Sequence, residues 1–141
     1  MFTVIEHPIP PNDKIENAME IAPPLYLEEY TIIGAFSDFS DDPCALSGLV
    51  YGVYFQYTPI ATELVTLVLE YSTGRVPLSY IGEPSIGISA FTSAGTRQCI
   101  ARAYKTIDAQ TLIGGVTHYI LVASPVPGGF STFSLRFQVS C

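Results

Sequence analysis

Tryptophan is absent from this chain, and histidine nearly so, with His7 and His118 the two in 141 residues. Neither is placed for acid–base chemistry: His7 lies in a proline-rich stretch, and His118, between Thr117 and Tyr119, reads as a surface or cross-strand imidazole on a strand. There is no nucleophile elbow and no HExxH. An enzyme would have to run on carboxylates alone, and spacing marks no pair of them, so the sequence reads as non-catalytic. Basic residues are also few, and the six (Lys14, Arg75, Arg97, Arg102, Lys105 and Arg136) are scattered. Nucleic-acid binding needs clustered Lys and Arg to displace phosphate counterions, which excludes that function class. Charge of either sign is scarce at 13% of residues. Even so, no apolar run approaches the ~20 residues of a membrane span.

Cysteine is limited to Cys44, Cys99 and Cys141, which allow at most one internal bridge. No CxxC spacing and no neighbouring histidine accompany them, which argues against zinc. Cys44 to Cys99 is the favoured disulfide, Cys99 to Cys141 competes, and three buried thiols in a reducing compartment is the remaining reading. The start, MFTVIEHPIPP, has neither the basic residue nor the apolar run of a signal peptide. Either the numbering begins after processing or the chain is not exported.

What is present points to β structure. Nine Tyr and eight Phe accompany many Val, Ile and Thr, and eleven Gly and eleven Pro punctuate them. The length suits one domain that buries about 70% of its unfolded surface. A net charge of −7 on so few charges suits a secreted or cell-surface protein.

The stretch from Gly114 to Ser140 organises the rest. Phe133, Leu135, Phe137 and Val139 are apolar on one parity, while Thr132, Ser134, Arg136 and Gln138 fill the other. With Thr117 to Ser124 before it and the SPVPGG turn between, this predicts a half-buried antiparallel hairpin. Upstream, Phe2 to Glu6 is a short strand candidate, and the prolines from His7 to Pro11 make a stiff connector, so residues 1–11 are set apart from a domain over 12–141. Asp13 and Glu16 form a capping box that predicts one or two helical turns before Pro23. Strands are predicted over Tyr30 to Phe36, Val50 to Thr58, Leu64 to Tyr71, Val76 to Ile81, Ile86 to Thr92 and Gln98 to Lys105. About eight strands at intervals of roughly ten residues predict an all-β fold, a two-layer antiparallel β-sandwich of jelly-roll-like form.

Several short motifs carry a family resemblance. Asn12 and Asp13, then Ala18 and Ile21, DDPC at Asp41 to Cys44, VYGVYFQYTP at Val50 to Pro59, and GGVTHYILV at Gly114 to Val122 together resemble the bacterial pre-peptidase C-terminal domain. That resemblance implies a non-catalytic jelly-roll-like sandwich found beside secreted enzymes and in cell-surface proteins, credited with calcium, glycan or matrix binding. The chain departs from the family pattern with Tyr51 and Tyr54 in place of a Trp-Tyr pair. It also has Ala103, Tyr104 and Lys105 in place of an acidic cluster, which weakens any calcium site in the second half.

Two roles follow as expectations. The first is an extracellular binding or adhesion module for glycan, matrix or a neighbouring domain, with Tyr51, Tyr54, Tyr104 and Tyr119 as surface aromatics that stack on sugar or protein. Asp38, Asp41 and Asp42 are its calcium candidates, weighed against a solvated acidic turn; no other cofactor is expected. The second is a structural subunit of a fibre or surface layer, in which Phe2, Val4 and Ile5 of one copy add as a strand to a sheet edge of the next. A head-to-tail contact of that kind does not close on itself.

Overall fold

The computed structural model describes residues 15–30, 43–44, 51–72, 85–124 and 132–139. Among them are one 3-10 turn, Ile15–Asn17, and nine strands: β1 Met19–Glu20, β2 Leu25–Tyr30, β3 Tyr51–Tyr57, β4 Glu63–Ser72, β5 Ser85–Phe91, β6 Arg97–Ala103, β7 Thr106–Leu112, β8 His118–Ser124 and β9 Thr132–Val139. They form two sheets. Sheet A runs β1-β3-β8-β5-β6 and sheet B runs β2-β9-β4-β7. Every pairing is antiparallel except the two-residue contact of β1 with β3.

Leaving β1 aside, successive strands change sheet at every step but one, the β5–β6 hairpin. This interleaving of two Greek keys is the strand order of a jelly roll. The expected all-β sandwich is therefore present, with nine strands among the described residues where turn spacing led to an expectation of about eight.

Alternation builds the core. Val53, Phe55, Ile86, Ile88, Ile120 and Val122 project from sheet A onto Val65, Leu67, Leu69, Ile107, Leu112, Phe133, Leu135 and Phe137 of sheet B. Each such side chain stabilises the fold by about 1.5–3 kcal/mol when fully buried. Phe55 meets Phe133 edge-on across the two layers, with ring centroids 6.5 Å apart. On sheet B the opposite parity is wet, with Arg136 and Gln138 exposed as their positions predict.

Sheet A differs, because part of its outer face is buried as well. Ala18, Tyr54, Leu121 and Ala123 form a second apolar cluster on its outer face, with Ile15 and Tyr119 packed against it. That cluster explains why the alternation of residues 117–124 looks ragged: both parities of β8 are covered, so both are apolar.

Three expectations are corrected here. β8 and β9 are not a hairpin: β8 pairs with β3 and β5 in sheet A, and β9 with β2 and β4 in sheet B. Each is an interior strand with partners on both edges, and their apolar faces oppose one another across the core. The helical turns predicted before Pro23 shrink to Ile15–Asn17, because the chain at Met19–Glu20 pairs with Phe55 and Gln56 instead. The LYLEEY run, Leu25–Tyr30, for which no strand was expected before Tyr30, forms β2. The predicted strands at Phe2 to Glu6 and Val76 to Ile81, together with residues 31–36, lie outside the described residues.

β7 carries one backbone irregularity. Ala109 has φ +52°, in the left-handed region that disfavours a Cβ, and the β4–β7 register shifts between Val65 and Leu67. Thr66 Oγ1 donates to Asp108 Oδ1 at 3.0 Å and accepts from the Ala109 N–H at 3.4 Å, which pins the bulge. Ala109→Gly is expected to stabilise the protein by roughly 0.5–1 kcal/mol, read as a higher denaturation midpoint at constant m-value. A lower midpoint would show that Ala109 is not held at positive φ.

Candidate ligand-binding surface

The outer face of sheet A places Gln56, Tyr119 and Ser89 in one row, because Gln56 and Ser89 both stand in register with Tyr119 from opposite sides. Adjacent members of such a row are about 4.8 Å apart. Gln56 Nε2 donates to the Ala18 carbonyl at 2.9 Å, fixing the amide at the β3 edge. Beside it opens a cleft of about 310 Å³ lined by Glu20, Ile21, Ala22, Gln56, Tyr57 and Thr58. At the other end of the row Phe91 packs edge-on against Tyr119, with ring centroids 6.1 Å apart at 83°. Phe91 is 53% exposed and Tyr119 half-buried. The result is a strip with a polar-edged cleft at one end and an accessible aromatic pair at the other.

Neighbouring groups hold this strip in place. Arg97 donates to Ser89 Oγ at 3.3 Å and lies over the Tyr54 ring, 5.8 Å from its centroid. Cys44 and Cys99 stand at disulfide distance, with Cα atoms 4.9 Å apart, and bind the outer face to edge strand β6. Gly87 makes room for the bridge, since a Cβ there would stand 2.7 Å from Cys44 Cβ and 3.0 Å from its Sγ.

At the end of the sandwich, Tyr57 continues the core parity of β3, its ring edge-on to Phe137 at 5.2 Å and its hydroxyl donating to Glu63 Oε1. Burial, then the hydrogen bond to Glu63, then that carboxylate's charge push the phenol up from 10.0 to about 12. The folded state thus holds the proton more tightly than the unfolded chain. This contribution to stability is complete below pH 10.0 and disappears as pH rises toward about 12. Tyr57→Phe is expected to flatten the loss of stability over that interval relative to wild type in alkaline denaturation curves. An unchanged slope would contradict the assignment.

The predicted site residues separate. Tyr119 joins the strip. Tyr54 points to the same face but is 4% exposed, covered by Ile15, Ala18 and Arg97, so its ring is structural rather than a binding surface. Tyr104, 47% exposed, stands on the β6–β7 turn at the opposite end of β6 from Arg97. Tyr51 opens β3, but its side chain, like Asp38, Asp41, Asp42, Phe2, Val4 and Ile5, lies outside the described residues. Among the described residues no group of three or more His, Cys, Asp or Glu converges to hold a metal, and no helix is long and apolar enough to cross a membrane.

Gln56 and Phe91 were not singled out from sequence. Their signal is weak: Phe91 ends a short apolar piece before a turn, and Gln56 is one polar residue in an aromatic strand. For His118 the surface reading is corrected, because its imidazole is 1% exposed and faces the core, while the cross-strand reading holds, with Tyr57 and Ala90 opposite it in register. Comparison with family models, curated proteins and solved structures finds no significant match to this chain.

Proposed function

We propose that this jelly roll is a non-catalytic extracellular binding module that takes a neutral glycan along the strip from the Gln56 cleft to Phe91. The observation that carries the reading is the exposed Phe91 ring beside Tyr119, in line with a cleft that offers Glu20, Gln56 and Thr58 as polar partners. Sugar rings present apolar C–H faces that stack on aromatics, while their hydroxyls need amide, carboxylate and hydroxyl groups at the rim. The resemblance to the pre-peptidase C-terminal domain supports the same class. A bridged cysteine pair on an acidic chain suits an oxidising compartment outside the cell.

The test is a glycan array followed by titration calorimetry on the best ligand. Phe91→Ala with Tyr119→Ala is expected to weaken binding at least about tenfold, a loss of roughly 1.4 kcal/mol, with the circular dichroism spectrum unchanged. No glycan bound by the wild type, or full binding by the double variant, would refute the proposal. Calcium at Asp38, Asp41 and Asp42 remains part of it, read as a calcium-dependent rise in melting temperature.

A second reading, strand addition of Phe2, Val4 and Ile5 to a neighbouring copy, draws on β6 and β7, which end their sheets among the described residues. Light scattering separates the two. Long assemblies lost on deleting residues 1–11 favour the structural subunit, and a monodisperse monomer in both forms removes it.

A further inference from the structure

Four amides of the turn between β7 and β8 have identified acceptors. Val116 N–H donates to the Ile113 carbonyl at 3.2 Å, Gly115 N–H to the Pro59 carbonyl at 2.7 Å, Gly114 N–H to Thr62 Oγ1 at 3.0 Å, and Ile113 N–H to His118 Nε2 at 3.3 Å. Thr58 and Thr117 join the same two segments through their hydroxyls, 2.7 Å apart. A Cβ on Gly114 would meet the Ala61 backbone at 2.8 Å, so the two segments lie in close contact. Together they present Ile60, 101% exposed, and Ile113, about half exposed, at one end of the sandwich. Beneath them the acceptor for Ile113 is a buried imidazole.

Because Nε2 accepts a hydrogen bond, the neutral ring carries its proton on Nδ1, which is buried and meets no acceptor in good hydrogen-bond geometry, although backbone groups of Val116 and Tyr57 lie close enough to favour the charged ring. A second proton would have to enter at Nε2. That nitrogen would then become a donor facing the Ile113 N–H, and a buried positive charge would gain no counter-ion. The titratable groups on the packed strands do not supply one. Tyr57, opposite on β3, is a phenol, and the Glu63 carboxylate on β4, which accepts from that phenol, does not act on the imidazole. The partner on β5 is Ala90, the 113–117 turn has no ionisable side chain, and Asp108 of β7 is exposed and does not act on the imidazole. Burial lowers the His118 pKa from its ordinary 6.5, more than the backbone groups of Val116 and Tyr57 raise it.

We propose that His118 is an acid-released latch: neutral, it holds the 113–117 turn against the 59–62 segment, and on taking up a proton it lets that end of the sandwich open. The sign follows from the lowered pKa. The latch is fully engaged above pH 6.5 and fails as pH falls through the depressed folded value.

Amide exchange by NMR on the intact protein, corrected for intrinsic rates and compared at about pH 7.5 and about pH 5, tests it. Protection of the Ile113, Gly114, Gly115 and Val116 amides is expected to fall by about tenfold or more at the lower pH relative to Ile120 and Val122. His118→Gln keeps an acceptor but cannot titrate, and is expected to show no such loss. Equal protection at both pH values in the wild type, or the same loss in His118→Gln, would overturn the latch. If His118→Gln fails to fold, the wild-type contrast between the turn and Ile120 decides alone.

Discussion

Replacing Cys44 and Cys99 together by alanine is expected to lower the unfolding free energy by about 4 kcal/mol. The two lie 55 residues apart in sequence, and closing a loop of that length removes entropy from the unfolded chain on the loop-closure model. Against a total stability of about 5–15 kcal/mol the loss is large, and it should appear as a falling denaturant midpoint. The effect also has a native-state side. The bridge sits over Gly87 and ties β6 to the outer face, where Arg97 meets Ser89 and Tyr54, so its loss should loosen the Phe91 end of the strip. Non-reducing mass spectrometry should show Cys44 linked to Cys99. Free thiols at both positions would contradict the bridge, and a loss below about 1 kcal/mol would show that it does not restrain the unfolded chain.

Phe137→Ala should cost a comparable amount, about 3–5 kcal/mol. The ring is fully buried on β9, flanked in register by Leu67 and Leu25, and it meets the Tyr57 ring from sheet A. Truncation removes its transfer free energy and leaves a cavity beneath Tyr57. Gln138→Ala, one residue on and facing solvent, should change stability by less than about 0.5 kcal/mol. Similar costs at both positions would mean that β9 does not present one parity to a core.

This contrast shows why the strands were legible. Phe133, Leu135 and Phe137 against Ser134, Arg136 and Gln138 give a period of two without ambiguity, and the aromatic run of β3 is nearly as plain; the apolar run of β4 also fits helical spacing at Leu64, Leu67, Val68 and Tyr71, and its β-branched content decides for strand. Pairing was not legible. β8 and β9 adjoin in sequence and are both strand-like, and the local pattern says nothing of which sheet each enters. β7, TIDAQTL, escaped notice because its inward residues are interrupted by the bulge at Ala109, which shifts parity midway.

The proposed strip was legible at Tyr119 alone. Tyr54, expected at the surface, lies on the outer face of sheet A, but periodicity cannot show that the Ile15–Ala18 segment and Arg97 return to cover it. His118 was misplaced because of its polarity. It shares the parity of Ile120 and Val122, so alternation carries the imidazole to the core face, but a titratable side chain between Thr117 and Tyr119 suggests the surface.

Both the sandwich and the proposed site depend on β8 lying between β3 and β5. Backbone nuclear Overhauser contacts on isotope-labelled protein test this directly. The topology predicts cross-strand contacts from Tyr119 to both Gln56 and Ser89, and from Val122 to both Val53 and Ile86. A continuous ladder of contacts between residues 118–124 and 132–139 would contradict it, and the strip from Gln56 to Phe91 would not exist.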